Sequence, residues 1–117
     1  MAINGDLKAS VKACVEVLER AASGEYDGEE CEDVYSALVN VFEDALDVNF
    51  IIDADKCYRG VVIMLTFGGP TIYLDTREGY VKGYWGSEFA EYHVNRLVLN
   101  VIDEFWNERA EMLFGIH

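Results

Sequence analysis

Eleven carboxylates stand between Glu25 and Asp55, and no Lys or Arg falls among them. Three kinds of chemistry use acids in such numbers: acid–base catalysis by a pair in a cleft, binding of a divalent cation, and electrostatic attraction of a cationic surface. The first finds little support. Asp53 and Asp55 bracket a predicted hairpin turn, and the only histidines are His93 and the final residue, His117. Neither histidine stands in a pattern with Cys, Ser or acids that suggests a triad, and no GxSxG or HExxH occurs. Gly68-Gly69-Pro70 lacks the Gly-Lys-Ser/Thr of a phosphate loop and joins two predicted strands directly, so it reads as a tight turn. For a metal, Asp53-Ala54-Asp55 begins like a Ca²⁺ loop. Lys56 and Cys57 then occupy the places of further oxygen ligands and the turn glycine. No metal, cofactor or catalytic residue is expected.

The third use is the one the pattern suits. Residues 1–57 carry fourteen acids and four bases, and residues 58–117 carry eight and five, so the first half holds −10 of the net −13. Such a field repels itself in the folded state, which makes it either an aid to solubility or a working surface. It argues against direct binding to nucleic acid or anionic membrane, both of which need positive charge.

The elements that must position these acids follow from periodicity. The sequence predicts a first helix over Asp6–Ala22, with Leu7, Val11, Cys14, Val15 and Leu18 on one stripe and Gly24 as its stop. A second helix is expected over residues 29–47. Its stripe is Cys31, Val34, Tyr35, Leu38, Phe42, Ala45 and Leu46, with Asp27 as cap and Glu29 and Glu30 in the first turn. On that helix Glu29, Asp33, Asn40, Asp44 and Asp47 line up opposite Leu38 and Phe42, with Glu43 nearby, over roughly 27 Å at about 1.5 Å per residue. Solvated helices usually alternate signs, because like charges three or four apart destabilise them. The predicted partner-binding residues are therefore Glu25, Asp27, Glu29, Glu30, Glu32, Asp33, Glu43, Asp44 and Asp47.

Four strands follow: NFIID, YRGVVIMLTF, TIYLD and YVKGYWG, separated by the turn signals DADK, GGP and TREG. Val61, Ile63, Leu65 and Phe67 fall on one face, joined by Ile72, Leu74, Val81 and Trp85. Tyr73, Tyr80 and Tyr84 fall on the other, near Arg77 and Lys82, as a second contact or a homodimer face. The segment SEFAEYHV reads equally as strand or helical turn. A last helix carries Leu97, Val98, Val101, Ile102, Phe105 and Trp106, with Asn95 as cap. The expectation is a single globular α+β domain over residues 1–117: two N-terminal helices, a four-stranded antiparallel meander and one long C-terminal helix. Cys14, Cys31 and Cys57 are expected to be reduced thiols, and the chain lacks both a signal-peptide layout and a spanning apolar run, which points to the cytoplasm.

FGGPTIYLDTREGYVKGYWG (67–86) followed by IDEFWNERAE (102–111) resembles, in its strand–turn–strand and acidic-aromatic helix, the anti-CRISPR proteins of phages and mobile elements. The resemblance covers about a third of the chain. It implies an inhibitor that lays carboxylates in the DNA-binding groove of a CRISPR effector within the bacterial host. The alternative reading of the same charge is a cytosolic immunity protein that neutralises a basic nuclease toxin.

Overall fold

Leu7, Val11, Val15, Leu18 and Ala21 recur at helical spacing, and all five are buried in a computed structural model that describes residues 3–115. They form the inner stripe of helix α1 (Ile3–Ala22). Ser23 and Gly24 donate back to the carbonyls of Arg20 and Ala21 at 3.0 and 2.9 Å, and Gly24 leaves the helix with φ 89°. Glycine reaches that left-handed region without the steric cost other residues meet.

The next stretch departs from the expected helix. Glu25–Tyr26 and Glu29–Glu30 pair as a short antiparallel hairpin, β1 and β2, around Asp27-Gly28. Both turn residues have positive φ, 55° and 80°, as the two-residue Asp-Gly hairpin turn requires. Asp27 is thus a turn residue and not a helix cap, and Glu29 and Glu30 lie on a strand and not in a first helical turn. Helix α2 spans only Val34–Phe42. Its true cap is Asp33, whose carboxylate accepts from the Ser36 amide at 2.7 Å. Glu43 is the residue just past the helix, and Ala45 and Leu46 belong to the turn that leads into the sheet.

Five strands follow where four were expected: β3 (Asp47–Ile52), β4 (Tyr58–Thr66), β5 (Thr71–Asp75), β6 (Tyr80–Trp85) and β7 (Glu88–His93). They pair antiparallel in chain order. The undecided segment 87–94 supplies β7, which returns from β6 through a turn at Gly86 and pairs Tyr84 with Phe89 and Tyr80 with His93. Helix α3 (Arg96–Phe114) closes the chain, with the Asn95 side chain accepting from the Leu97 amide at 2.7 Å.

All three helices lie on one side of the five-stranded sheet. That side carries the buried Val61, Ile63, Ile72, Leu74, Val81 and Ala90. Helix α1 crosses β6 and β7, α3 covers β4, and α2 packs between α1 and α3. An aromatic group fills the end beneath α2 and α3: Trp106 lies 5.3 Å from Phe42 and 5.8 Å from Phe50 between ring centres. Phe67 is not in the core row. Strand β4 ends at Thr66 after a register shift between Met64 and Thr66, which leaves Phe67 72% exposed in the following turn. A hydrogen bond of 2.6 Å from the Tyr58 hydroxyl to Asp103 Oδ1 ties β4 to α3.

Candidate functional site

The nine carboxylates expected as one band along a helix and at its start are divided among three places. Glu25, Asp27, Glu29 and Glu30 belong to the β1–β2 hairpin, and Glu32 and Asp33 follow it at the start of α2. Glu43 and Asp44 stand at the far end of α2, roughly 15 Å away at the rise of a helix. Asp47 opens β3 opposite Met64, where its Oδ2 accepts from Asn49 Nδ2 at 2.9 Å. The continuous acidic helix face therefore does not exist. A two-residue hairpin turn and an early cap compete for residues 27–33 and win.

The fold assembles a different acidic edge. The outer face of α1 brings Glu16 and Glu19 beside the hairpin, and with Arg20, Ser23 and Glu25 they line a shallow concavity. A neighbouring one is lined by Val17, Arg20, Glu25, Tyr26 and Asp27. Arg20 reaches Glu25 at 3.8 Å, with both side chains well exposed. Glu16 and Glu19 were missed in the sequence although a signal was present: they lie three apart on the side of α1 away from Leu7, Val11 and Leu18.

Charge neutralisation is sparse. Among the described residues the ion pairs are Arg20–Glu25, Arg59–Asp53 and Lys82–Glu78. Of the nine predicted carboxylates only Glu25 faces a cation at that range, and Asp27, Glu29, Glu30, Glu32, Asp33, Glu43, Asp44 and Asp47 are all exposed. Asp33 is held below the usual aspartate range by the amide of Ser36, so it stays ionised as it caps α2.

The predicted tyrosine row lies on the sheet face without helices, as its alternation implies. Tyr73 sits across from Lys82, and Tyr80 from Asp75. The rings meet across strands: Tyr84 is 5.1 Å from Phe89 and 6.3 Å from Tyr73, and Tyr80 is 5.3 Å from the His93 ring. Phe89, half-exposed, is a member that the sequence could not assign while β7 was undecided. Lys82, between Tyr80 and Tyr84 in this row, is paired with Glu78, and that carboxylate holds the ammonium above its usual range.

Other titratable groups have structural partners. Asp53 Oδ1 accepts from the amides of Asp55 and Cys57 at 2.9 and 3.0 Å, while Oδ2 meets Arg59 Nε at 2.6 Å. Those bonds lower its pKa and hold the carboxylate in the turn. Among the described residues no cluster of three or more His, Cys, Asp or Glu is placed to hold a metal ion. Burial, and then Asp103, push the Tyr58 hydroxyl well above its ordinary range, so it remains a donor. All three cysteines are free and half-buried, and burial raises the Cys14 thiol. His93 is exposed, and among the described residues it makes no side-chain hydrogen bond. No described helix is long and apolar enough to cross a membrane.

No protein-family model, curated protein or solved structure matches the chain.

Proposed function

We propose that the protein is a non-enzymatic inhibitor that occupies a positively charged nucleic-acid-binding site by presenting carboxylates in place of phosphates. The observation that carries this reading is the exposed and almost unneutralised acidic edge formed by α1 and the β1–β2 hairpin. Proteins that bind nucleic acid line their grooves with Lys and Arg to neutralise closely spaced phosphates. An outward-facing array of carboxylates on a folded support competes for such a groove, and its long-range field speeds the encounter. Glu16, Glu19, Glu25, Asp27, Glu29 and Glu30 form the main contact, with Glu32, Asp33, Glu43 and Asp44 extending it along α2. The row Tyr73, Tyr80 and Tyr84 supplies a second contact, to the target or to another copy of the chain. Among cationic targets the resemblance to anti-CRISPR proteins favours a subunit of a CRISPR effector, which places the protein in the cytoplasm of a bacterial host.

The test is charge reversal at positions that do no structural work. Glu19, Glu29 and Glu30 are exposed and their side chains make no hydrogen bond among the described residues, so E19K/E29K/E30K should fold as the parent does. Binding to a purified panel of DNA-binding CRISPR effectors and basic nucleases is measured at several salt concentrations. The expected result is competition with DNA for one effector and association slowed roughly 10- to 1,000-fold in the triple variant at low salt. Undiminished inhibition by that variant would sink the mimicry reading. Capture of a lone basic nuclease would replace it with the immunity reading.

A further inference from the structure

A groove of about 350 Å³ runs between α2 and α3. Its floor is apolar: Leu38 and Phe105 are buried, and Val34 and Val101 half-buried. Tyr35, 51% exposed, forms one lip, and Glu104 and Glu108 form the other. The two glutamates are four apart on α3, so they repel each other, and Glu111 follows three residues on. Among the described residues neither has a cation within ion-pair distance. Arg109, on the same helix, lies instead over ring faces, 4.3 Å from the centre of Phe105 and 5.5 Å from that of Tyr35. At the α2 end, Val34 follows directly on the exposed Glu32 and Asp33.

Helix α3 thus sets unpaired like charges along an apolar channel, where an ordinary solvated helix would alternate signs. The volume is at the small end of ligand pockets and suits the side chains of a peptide better than a compact organic ligand. A partner that fills the floor with apolar side chains must bring cations to the lip, or it buries Glu104 and Glu108 against nothing. We propose that this groove docks a cationic amphipathic segment of a partner protein, with apolar anchors over Val34, Leu38, Val101 and Phe105 and Lys or Arg side chains against Glu104 and Glu108. This is recognition of an amphipathic helix by a groove, with the partner's polar face selected by charge. The inference does not depend on phosphate mimicry at the hairpin.

The probe is the synthetic helical peptide LKKLLKLLKKLLKL, titrated into the isotopically labelled full chain, with an all-Lys peptide of the same length as the control for non-specific attraction. Expected are chemical-shift changes concentrated on Tyr35, Leu38, Val101 and Phe105. The substitution E104K/E108K should weaken the Leu/Lys peptide roughly tenfold at unchanged melting behaviour, whereas E29K/E30K should leave it bound. Equal affinity for the all-Lys peptide would overturn the proposal, as would shifts confined to the hairpin, insensitivity to E104K/E108K, or no saturable binding. Each of those results leaves the inhibitor reading to be judged by its own charge-reversal test.

Discussion

Gly83 lies where α1 crosses β6, and a methyl group added there would stand 2.5 Å from Val11 Cγ2 and 3.0 Å from Leu7 Cδ1. Val11 is fully buried and its branched side chain has few rotamers to yield into. G83A should therefore cost about 1–3 kcal/mol in urea unfolding, although the residue is in a strand where alanine is normally tolerated as well as glycine. A cost near zero would mean that α1 shifts freely over the sheet. A second residue-scale prediction concerns Asp33. Its folded-state pKa is lowered by the Ser36 amide, so the cap's contribution is fully present above the unfolded-state pKa and is lost as pH falls through the folded value. D33A should lower the urea midpoint at pH 7, and the gap between D33A and the parent should close toward about pH 3. D33N retains a capping oxygen that does not titrate, so its midpoint should exceed that of D33A at both pH values. A gap that persists unchanged in acid would place the effect of Asp33 elsewhere than in the cap.

Helix α2 shows what charge does to a whole element. It has no acidic residue within its first turn and no basic residue in its last, and Glu43 and Asp44 stand at its negative end. A carboxylate at a helix C-terminus opposes the macrodipole, so these two positions are held at an electrostatic cost. E43K/D44K should raise stability by about 0.3–1 kcal/mol per charge and, if α2 extends the binding edge, slow association with the target. The two effects are read independently, by thermal melting and by stopped-flow binding. Stabilisation without any loss of binding would assign those two acids to solubility alone. The same element marks where the sequence stopped being legible. The strong 3.6-residue stripe of α1 and the alternation in β4 to β6 located their cores because each buries a full face. In α3 the expected Ile102, Phe105 and Trp106 are buried, whereas Leu97 is 74% exposed and Leu99 and Ala110 are the further buried positions. In α2 the apolar spacing ran on through Cys31, Ala45 and Leu46, but backbone chemistry set the ends: the Asp-Gly turn at 27–28, and the Asp33 carboxylate on Ser36. Strand β7 was ambiguous because it lies at the sheet edge and buries only Ala90, so alternation had little to act on. The acidic edge was legible as composition but not as geometry. Its members come from α1 and the hairpin, and only the tertiary contact of the two brings Glu16 and Glu19 beside Glu25.

At the scale of the molecule, a net charge of −13 is carried on a body with extents of 46 × 35 × 23 Å. At about 0.01 M salt the screening length is ~30 Å, so most of these charges feel one another; at about 1 M it is ~3 Å and only near neighbours interact. Folding concentrates the charge, and the three ion pairs among the described residues relieve little of it. Salt should therefore act with opposite signs on stability and on recognition. Raising NaCl from about 0.01 to about 1 M should lift the melting temperature by several degrees, the shift expected for ~1 kcal/mol in a domain of this size. Over the same range the affinity for the Leu/Lys peptide should fall, because the attraction that salt screens is of the same origin as the repulsion it relieves. E104K/E108K should flatten the second dependence far more than the first, since a local pair governs the groove while the whole surface governs self-repulsion. Were both quantities to move in the same direction with salt, apolar contact would dominate docking, and the charge at the groove's lip would have no part in selecting the partner.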